Sequence, residues 1–275
     1  MTDTRPILIL GGTGKTGRRL AERLTAQGVP VRIGSRSGSP SFDWEVPATW
    51  GPALQGVRAV YISYHPDIAV PGAAETVEAF ARLAVANGVI RLVLLSGRGE
   101  TEAQRAEEMV KASGADWTIL RCAWFSQNFS EGFLIEPLLA GEVALPVGPV
   151  GEPFVDVDDI ADAAEAVLTE PGHVGQLYEL TGPRLLSFTD AVAEIAKAAG
   201  RDIRFVRISH DEFTTAVASH ELPPEIVWLL DELFTKVLDG RNESLTDGVQ
   251  RVLGRAPKDF SAYATETAAS RIWSH

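Results

Sequence analysis

Cysteine is nearly absent: Cys122 stands alone among 275 residues, so an internal disulfide is excluded. The five histidines show no ligand spacing with it, and no metal site is expected. Cations are scarce as well. Against 37 Asp and Glu there are 25 Lys and Arg, a formal net charge of −12, which excludes the broad basic face that direct nucleic-acid binding requires. No stretch reaches the roughly 18 uninterrupted apolar residues of a membrane span, and no basic segment followed by an apolar one opens the chain. The expectation is a protein of the reducing cytoplasm that neither enters a membrane nor is exported. No internal repeat or low-complexity segment occurs. Tyrosine is limited to positions 61, 64, 178 and 263, and four residues beyond these stand His65, Ile68, Gly182 and Thr267, so Tyr-x-x-x-Lys is missing.

Glycine, in contrast, is concentrated where it carries information. Ile7 to Leu10 form an apolar run suited to a buried parallel strand, and it leads directly into Gly11, Gly14 and Gly17, a G-x-x-G-x-x-G loop. Arg18 to Gln27 then show helical spacing with Leu20 and Leu24 inward. Strand, glycine loop and helix in this order read as a pyrophosphate site: a turn at Gly11, close backbone approach at Gly14, close helix packing at Gly17, and helix N–H groups facing the phosphates. Thr13, Lys15 and Thr16 complete that loop as candidate contacts. Gly14-Lys15-Thr16 also resembles the end of a triphosphate loop, but that motif needs an earlier glycine at the place Ile9 occupies. A glycine turn that binds nothing is the third reading. Its position at the start of a βαβ unit favours the dinucleotide.

The second strand, Val29 to Ser35, ends in Ser35-Arg36-Ser37. A fold that holds NAD usually places an acid here for the ribose 2′-hydroxyl, whereas a guanidinium flanked by hydroxyls suits a 2′-phosphate. NADP(H) is therefore favoured over NAD(H), the alternative being that Arg36 is a solvated loop cation. Asp43, in Phe42-Asp43-Trp44, would follow a third strand and accept from an adenine amino group.

Alternation of strands and helices continues: strands at Ala59 to Ser63, Leu92 to Ser96 and Trp117 to Arg121, helices at Ala73 to Asn87 and Glu102 to Ser113. The fold class is α/β, a doubly wound parallel-sheet Rossmann fold with a small, mostly helical C-terminal substrate lobe. Residues 1–130 would form the cofactor core, with 153–182 returning to it, and residues 131–152 and 183–275 the substrate or cap lobe. Within these, Glu131 to Ala140 read as helix and Phe154 to Val157 as a strand. Asp158 would cap a helix from Ile160 to Leu168, and Leu177 to Leu180 read as a strand. A helix from Ser187 or Thr189 to Ala199, a strand at Arg204 to Ile208, and helices around Asp211 to Ser219, Pro224 to Leu238 and Asn242 to Leu253 complete the reading.

Several blocks carry a family likeness: Gly11 to Gly17, Leu94-Leu95-Ser96, Asp116 to Arg121, Trp124-Phe125-Ser126-Gln127-Asn128-Phe129-Ser130-Glu131, Phe154 to Ala161, and Leu180 to Pro183. Over nearly its whole length the chain resembles the NmrA-like atypical short-chain dehydrogenase/reductases, most of all the branch containing the festuclavine dehydrogenases of ergot-alkaloid synthesis. The resemblance implies an NADP(H)-linked Rossmann domain with a small C-terminal substrate lobe. One departure matters. Typical short-chain dehydrogenases use Tyr-x-x-x-Lys to protonate the developing alkoxide, and relatives toward isoflavone reductase carry a lysine before the Trp117 strand, where this chain has Glu107 and Glu108. Lys111 sits one turn later and reads as a solvated helix-end cation.

A substrate that needs no tyrosine acid fits this departure. An iminium accepts hydride and becomes a neutral amine, and a quinone takes its proton from water. Ser63 joins the cofactor contacts, and Tyr64, Ser96, Arg98, Trp124, Phe125 and Asn128 are the candidate substrate wall, though Trp124 and Phe125 equally suit an ordinary core. The expected function is an NADP(H)-dependent reductase of a planar, electron-poor small molecule of iminium or quinone type. The alternative is a non-catalytic NADP(H)-binding redox sensor of the NmrA kind. The oligomeric state, a homodimer included, and the presence of flavin are left open.

Overall fold

The computed structural model describes residues 4–218 and 222–274. In chain order the elements are β1 (Ile7–Leu10), α1 (Lys15–Ala26), β2 (Val31–Gly34), α2 (Trp50–Leu54), β3 (Ala59–Ile62), α3 (Ala73–Ala86), β4 (Arg91–Gly97), α4 (Thr101–Lys111) and β5 (Asp116–Cys122). They continue as α5 (Ile135–Ala140), β6 (Glu142–Leu145), α6 (Val157–Thr169), β7 (Gln176–Leu180), α7 (Phe188–Ala199), β8 (Arg204–Arg207), α8 (His210–Ala218), α9 (Pro224–Glu232), α10 (Gly248–Leu253) and α11 (Phe260–Ala269). The six-stranded sheet has the order β2-β1-β3-β4-β5-β7. The pairs from β2 to β5 are parallel, and Gly175 N–H bonding Trp117 O while Ala123 N–H bonds Leu180 O sets β7 parallel too. The order reverses between β1 and β3, the switch point beyond whose carboxyl ends open α/β sheets bind ligands.

The chain forms two compact units. The first comprises the residues through Cys122 together with Asp158–Glu179 and Gly248–Arg255. Its strands are continuous apolar runs because helices cover both sheet faces; all of β1 and most of β3 are fully buried. Charge stitches α1, α6 and the end of α10 together. Arg23 pairs with Asp158 at 3.0 Å and Asp162 at 2.6 Å, and Arg255 pairs with Asp159 and Asp162, both at 2.6 Å.

The second unit spans Ala123–Val157, Leu180–Asp247 and the residues from Ala256 onward. It is mostly helical around the two-stranded parallel sheet of β6 and β8, registered Glu142 to Arg204 through Leu145 to Arg207. Its core is aromatic: Phe154 packs edge-on against Phe188 at 5.3 Å and against Phe129 at 5.5 Å, with Phe260 also on Phe129 at 5.6 Å. Buried polar tips are satisfied, Trp273 Nε1 donating to Phe129 O at 2.9 Å and the Tyr263 hydroxyl to Ser130 Oγ at 2.8 Å. Ser187 begins α7 with a reciprocal capping box to Asp190.

Several sequence expectations need correction. Phe154 to Val157 make no strand, only isolated bridges, Phe125 with Val155 and Glu152 with Leu186. Asp158 does not cap a helix: α6 already starts at Val157, whose N–H is taken by the Gln127 side chain at 2.8 Å, and the Asp158 carboxylate turns to Arg19 and Arg23. The helix expected from Glu131 begins only at Ile135, after the Gly132 turn, and the one expected from Asn242 begins only at Gly248. The helix expected from Pro224 to Leu238 divides into α9 and a π-helical turn, Leu233–Val237. The end of the predicted Asp211 to Ser219 helix, Ser219, lies outside the described residues. α11 and β6 were not expected.

Candidate functional site

The glycine loop joins the carboxyl end of β1 to α1, and at Gly11 and Gly17 its geometry leaves no room for a side chain. Gly11 has φ +64°, a left-handed conformation, and a Cβ there would stand 3.1 Å from Ser63 Oγ. A Cβ on Gly17 would overlap the Gly11 carbonyl, 2.8 Å from its carbon, so α1 starts directly against the loop. Ile9, at the position a triphosphate loop would require as glycine, is buried inside β1. Gly14 precedes α1 in extended backbone (φ −82°, ψ −177°), no side chain caps the helix, and its first turn carries no acid. Acids ordinarily favour that place because the N-terminus of a helix is electropositive. Here Lys15 and the exposed Thr13 and Gly14 surround an open helix start, an arrangement suited to an anion. Thr16 is buried at the base of the turn.

Strand register brings further candidates alongside. Leu10 pairs with Gly34, which sets the loop after β2 next to the glycine turn. In that loop the Ser35 carbonyl accepts from Gly38 and Phe42 N–H groups at 3.0 and 2.9 Å, and the Ser35 and Ser37 hydroxyls lie 3.4 Å apart. Arg36 is exposed and makes no ion pair among the described residues. Asp43 does not follow a third strand, as the sequence suggested, because the third strand is Ala59–Ile62; it lies in the loop before it. That loop is fixed by its backbone: Thr49 Oγ1 and Trp50 Nε1 both donate to Asp43 O, at 3.2 and 2.8 Å, and the Asp43 carboxylate accepts from Glu45 N–H. Beside it Trp44 donates Nε1–H to Ser63 O at 3.3 Å and lies 4.8 Å from the Tyr64 ring. Ser63, Tyr64 and the Asp43 loop therefore share one end of β3 with Gly11.

At the carboxyl ends of β4 and β5 the wall candidates enter a buried network that was not read from sequence. Ser96 Oγ donates to Glu107 at 2.6 Å; Glu107 pairs with Arg121 at 2.5 Å; Arg121 also reaches Glu179 at 2.8 Å, and Arg98 reaches Glu179 at 3.3 Å. Glu107 is 0% exposed and Arg98 8%. Ion pairing to Glu107 raises the Arg121 pKa further still. The helical phase held the signal, since Glu107 lies one turn from Ala103 and Val110 on the inner face of α4. Lys111, by contrast, pairs with Glu108 at 2.7 Å on the surface. On the loop after β3, burial pushes the Asp67 carboxyl up, opposed by the Ala69 N–H and the Lys15 ammonium. Sequence reading also missed this acid beside the glycine turn.

Three of the four tyrosines serve structure. Burial pushes Tyr61, Tyr178 and Tyr263 above the ordinary phenol range, and Tyr178 and Tyr263 bond His173 and Ser130. Tyr64 is half-buried, and the fully buried Tyr61 hydroxyl has no hydrogen-bond partner among the described residues. In the second unit, Trp124 and Phe125 lead into a 3-10 turn, Ser126–Phe129, where Asn128 N–H bonds Phe125 O at 3.1 Å. The described residues contain no His, Cys, Asp and Glu cluster able to hold a metal, and no helix long and apolar enough to cross a membrane.

A glycine turn at the switch point of a doubly wound parallel sheet, opening an uncapped helix start, defines a Rossmann-type nucleotide-binding protein. Residues 11–171, more than half of the chain, match the NAD(P)H-binding family, and the chain belongs to it. It is similar to festuclavine dehydrogenase of Aspergillus fumigatus, 30% identical over 96% of this chain and 98% of the relative. It is also similar to NAD(P)H azoreductase of Xenophilus azovorans, 27% identical over 96% of this chain and 98% of the relative. Among solved structures, NADPH-dependent quinone oxidoreductase of Escherichia coli shares the fold with a TM-score of 0.75 at 24% identity, over 94% of this chain and 99% of that one.

Proposed function

We propose that this chain is an NADP(H)-dependent oxidoreductase that reduces a planar, electron-poor small molecule, of iminium or quinone type, without a Tyr-x-x-x-Lys pair. The observation that carries the reading is the glycine turn itself: Gly11 is left-handed and a Cβ at Gly17 would overlap the Gly11 carbonyl, so the turn lies tight against an α1 start that has no side-chain cap and no acid in its first turn. Thr13, Gly14, Lys15, Thr16 and the α1 N-terminus would hold the diphosphate, Ser35 and Arg36 the 2′-phosphate, and Asp43 and Ser63 the remaining groups of the nucleotide. When bound, the reduced nicotinamide supplies hydride. The chain's part is then to bind, orient and exclude water.

Tyr64, Ser96, Arg98, Trp124, Phe125 and Asn128 are proposed as substrate contacts. A relative named as an NAD(P)H azoreductase supports reduction of a conjugated N=N compound. Ser96 gives its proton to Glu107 and Arg98 is paired with Glu179, so neither stands ready as an acid.

Purified protein should oxidise NADPH in the presence of quinones, azo dyes or cyclic iminium ions, and Gly14→Asp, which sets a carboxylate where the diphosphate would lie, should not. Equal rates in the two would remove the reading, whereas unequal affinities for the oxidised and reduced cofactor with no turnover across the panel would give the protein to the sensor alternative. Arg36→Ala should weaken NADPH binding about tenfold to a hundredfold in calorimetry and leave NADH unchanged, as expected for one lost charge-assisted contact.

A further inference from the structure

The second unit contains a donor that its own fold does not use. Trp124 is anchored by its backbone, its N–H bonding Glu152 at 3.1 Å and its carbonyl accepting from Val155 N–H at 2.9 Å. Its ring lies edge-on to Phe188 and tilted on Phe234, both at 5.7 Å. Yet its indole Nε1–H, shielded from solvent, meets no acceptor among the described residues. Trp44, Trp50 and Trp273 each direct the same group at a carbonyl. Buried indole N–H groups ordinarily find a partner, and one left without it is a cost that a bound acceptor removes.

The surroundings of this donor are aromatic. Phe234 sits on the π-helical turn Leu233–Val237, a rare element that recurs at functional sites. Phe213 backs it at 5.1 Å, and Phe133, 48% exposed, meets it edge-on at 6.2 Å. Aromatic surface thus runs from solvent at Phe133 through Phe234 to Trp124.

We infer that Trp124 is a substrate-binding hydrogen-bond donor, and that the substrate carries a lone-pair acceptor on a planar conjugated frame, as a quinone carbonyl or azo nitrogen does. This rests on the proposed reductase reading and narrows it, because an iminium nitrogen has no lone pair to offer. Reduction of a quinone to a hydroquinone takes two electrons and two protons in all: bound NADPH would supply one hydride and leave as NADP+, and water would supply the single further proton. The indole keeps its own proton and stabilises the oxygen on which negative charge gathers.

The test follows the six indole signals in a 1H–15N correlation spectrum of the labelled, NADP+-saturated protein as menadione, methyl red or a cyclic N-alkyl iminium salt is added. The Trp124 signal is assigned by its absence from Trp124→Phe or, should that variant not fold, by its contacts to the Phe188 and Phe234 rings. It should move downfield with menadione and methyl red and stay in place with the iminium. Trp124→Phe should raise the KM for menadione about tenfold while the NADPH Kd holds. A Trp124 signal unmoved by menadione, or moved equally by the iminium, overturns the inference, as does an unchanged menadione KM in a folded variant. Absence of turnover by the wild-type protein would instead defeat the reductase reading, and the spectra would still decide the role of Trp124.

Discussion

The two units are held together by different chemistry. In the first, aliphatic strands are buried between helices, and the polar groups near the strand ends are paired with one another, Glu107 with Arg121 and Asp159 with Arg255. In the second, rings pack on rings around Phe129, Phe154 and Phe188, the tips of Trp273 and Tyr263 find a backbone carbonyl and a hydroxyl, and charge pairs such as Arg184 with Asp259 are partly exposed. Charge pairs fix direction as well as proximity, which suits a unit that must present a turn and a helix start in one orientation. Aromatic packing supplies area and shape, which suits a unit proposed to receive a flat molecule.

Substitutions can break that contrast. The largest effect is expected from Phe188→Ala, which removes a fully buried ring touching Phe129, Phe154 and Trp124. It should cost about 3–5 kcal/mol in denaturant unfolding and leave the NADPH affinity of the folded protein unchanged; a parallel loss of cofactor affinity would show that the ring core is not a separate support. Glu107→Gln comes next, at about 3 kcal/mol, the low end for a broken buried pair because Arg121 keeps Glu179. Its signature should be a raised KM with quinone substrates at unchanged kcat, because Ser96 loses its anchor, and wild-type kinetics would confine Glu107 to stability.

The smallest effect concerns the partly exposed pair of Arg184 and Asp259 in the second unit. Hydrogen bonding to Arg184 holds the Asp259 carboxyl well below its ordinary range. A depressed carboxylate contributes stability above its unfolded pKa of about 3.9, and that contribution is lost as pH falls through the lower folded value. Solvent screening limits it to at most about 1 kcal/mol. Asp259→Asn should therefore be less stable than wild type at neutral pH and converge with it in acid melts. A constant gap across that range would assign the effect to packing.

What the sequence disclosed, and what it hid, follows the same division. Strands β1, β3, β4 and β5 are readable because a parallel sheet covered on both faces demands continuous apolar runs. The glycine turn is readable because its constraints are local. Phe154 to Val157 misled because their apolar side chains serve the ring core, while the backbone pairs only at single bridges. α11 escaped notice because only Phe260, Tyr263 and Ala264 are buried along it, too sparse a stripe to stand out. The Glu107 network was hidden for another reason: the strand register that sets Ser96 beside Arg121 is a property of pairing, not of either segment. The candidate substrate groups are legible as residue types, but the unused indole of Trp124 emerges only once every neighbouring acceptor has a position.

The first unit is assembled from three separated stretches, the last of them ending at Arg255. During synthesis its opening strands and glycine turn leave the ribosome early, yet Asp159 must wait for a cation 96 positions further along. Phe129, Phe154, Phe188, Phe213 and Phe234 of the second unit's ring core precede that cation, whereas Phe260, Tyr263 and Trp273 follow it. Closure of the pairing between α6 and Arg255 is thus coupled to late translation, and a nascent chain arrested before Arg255 should still be cut by proteases within α6.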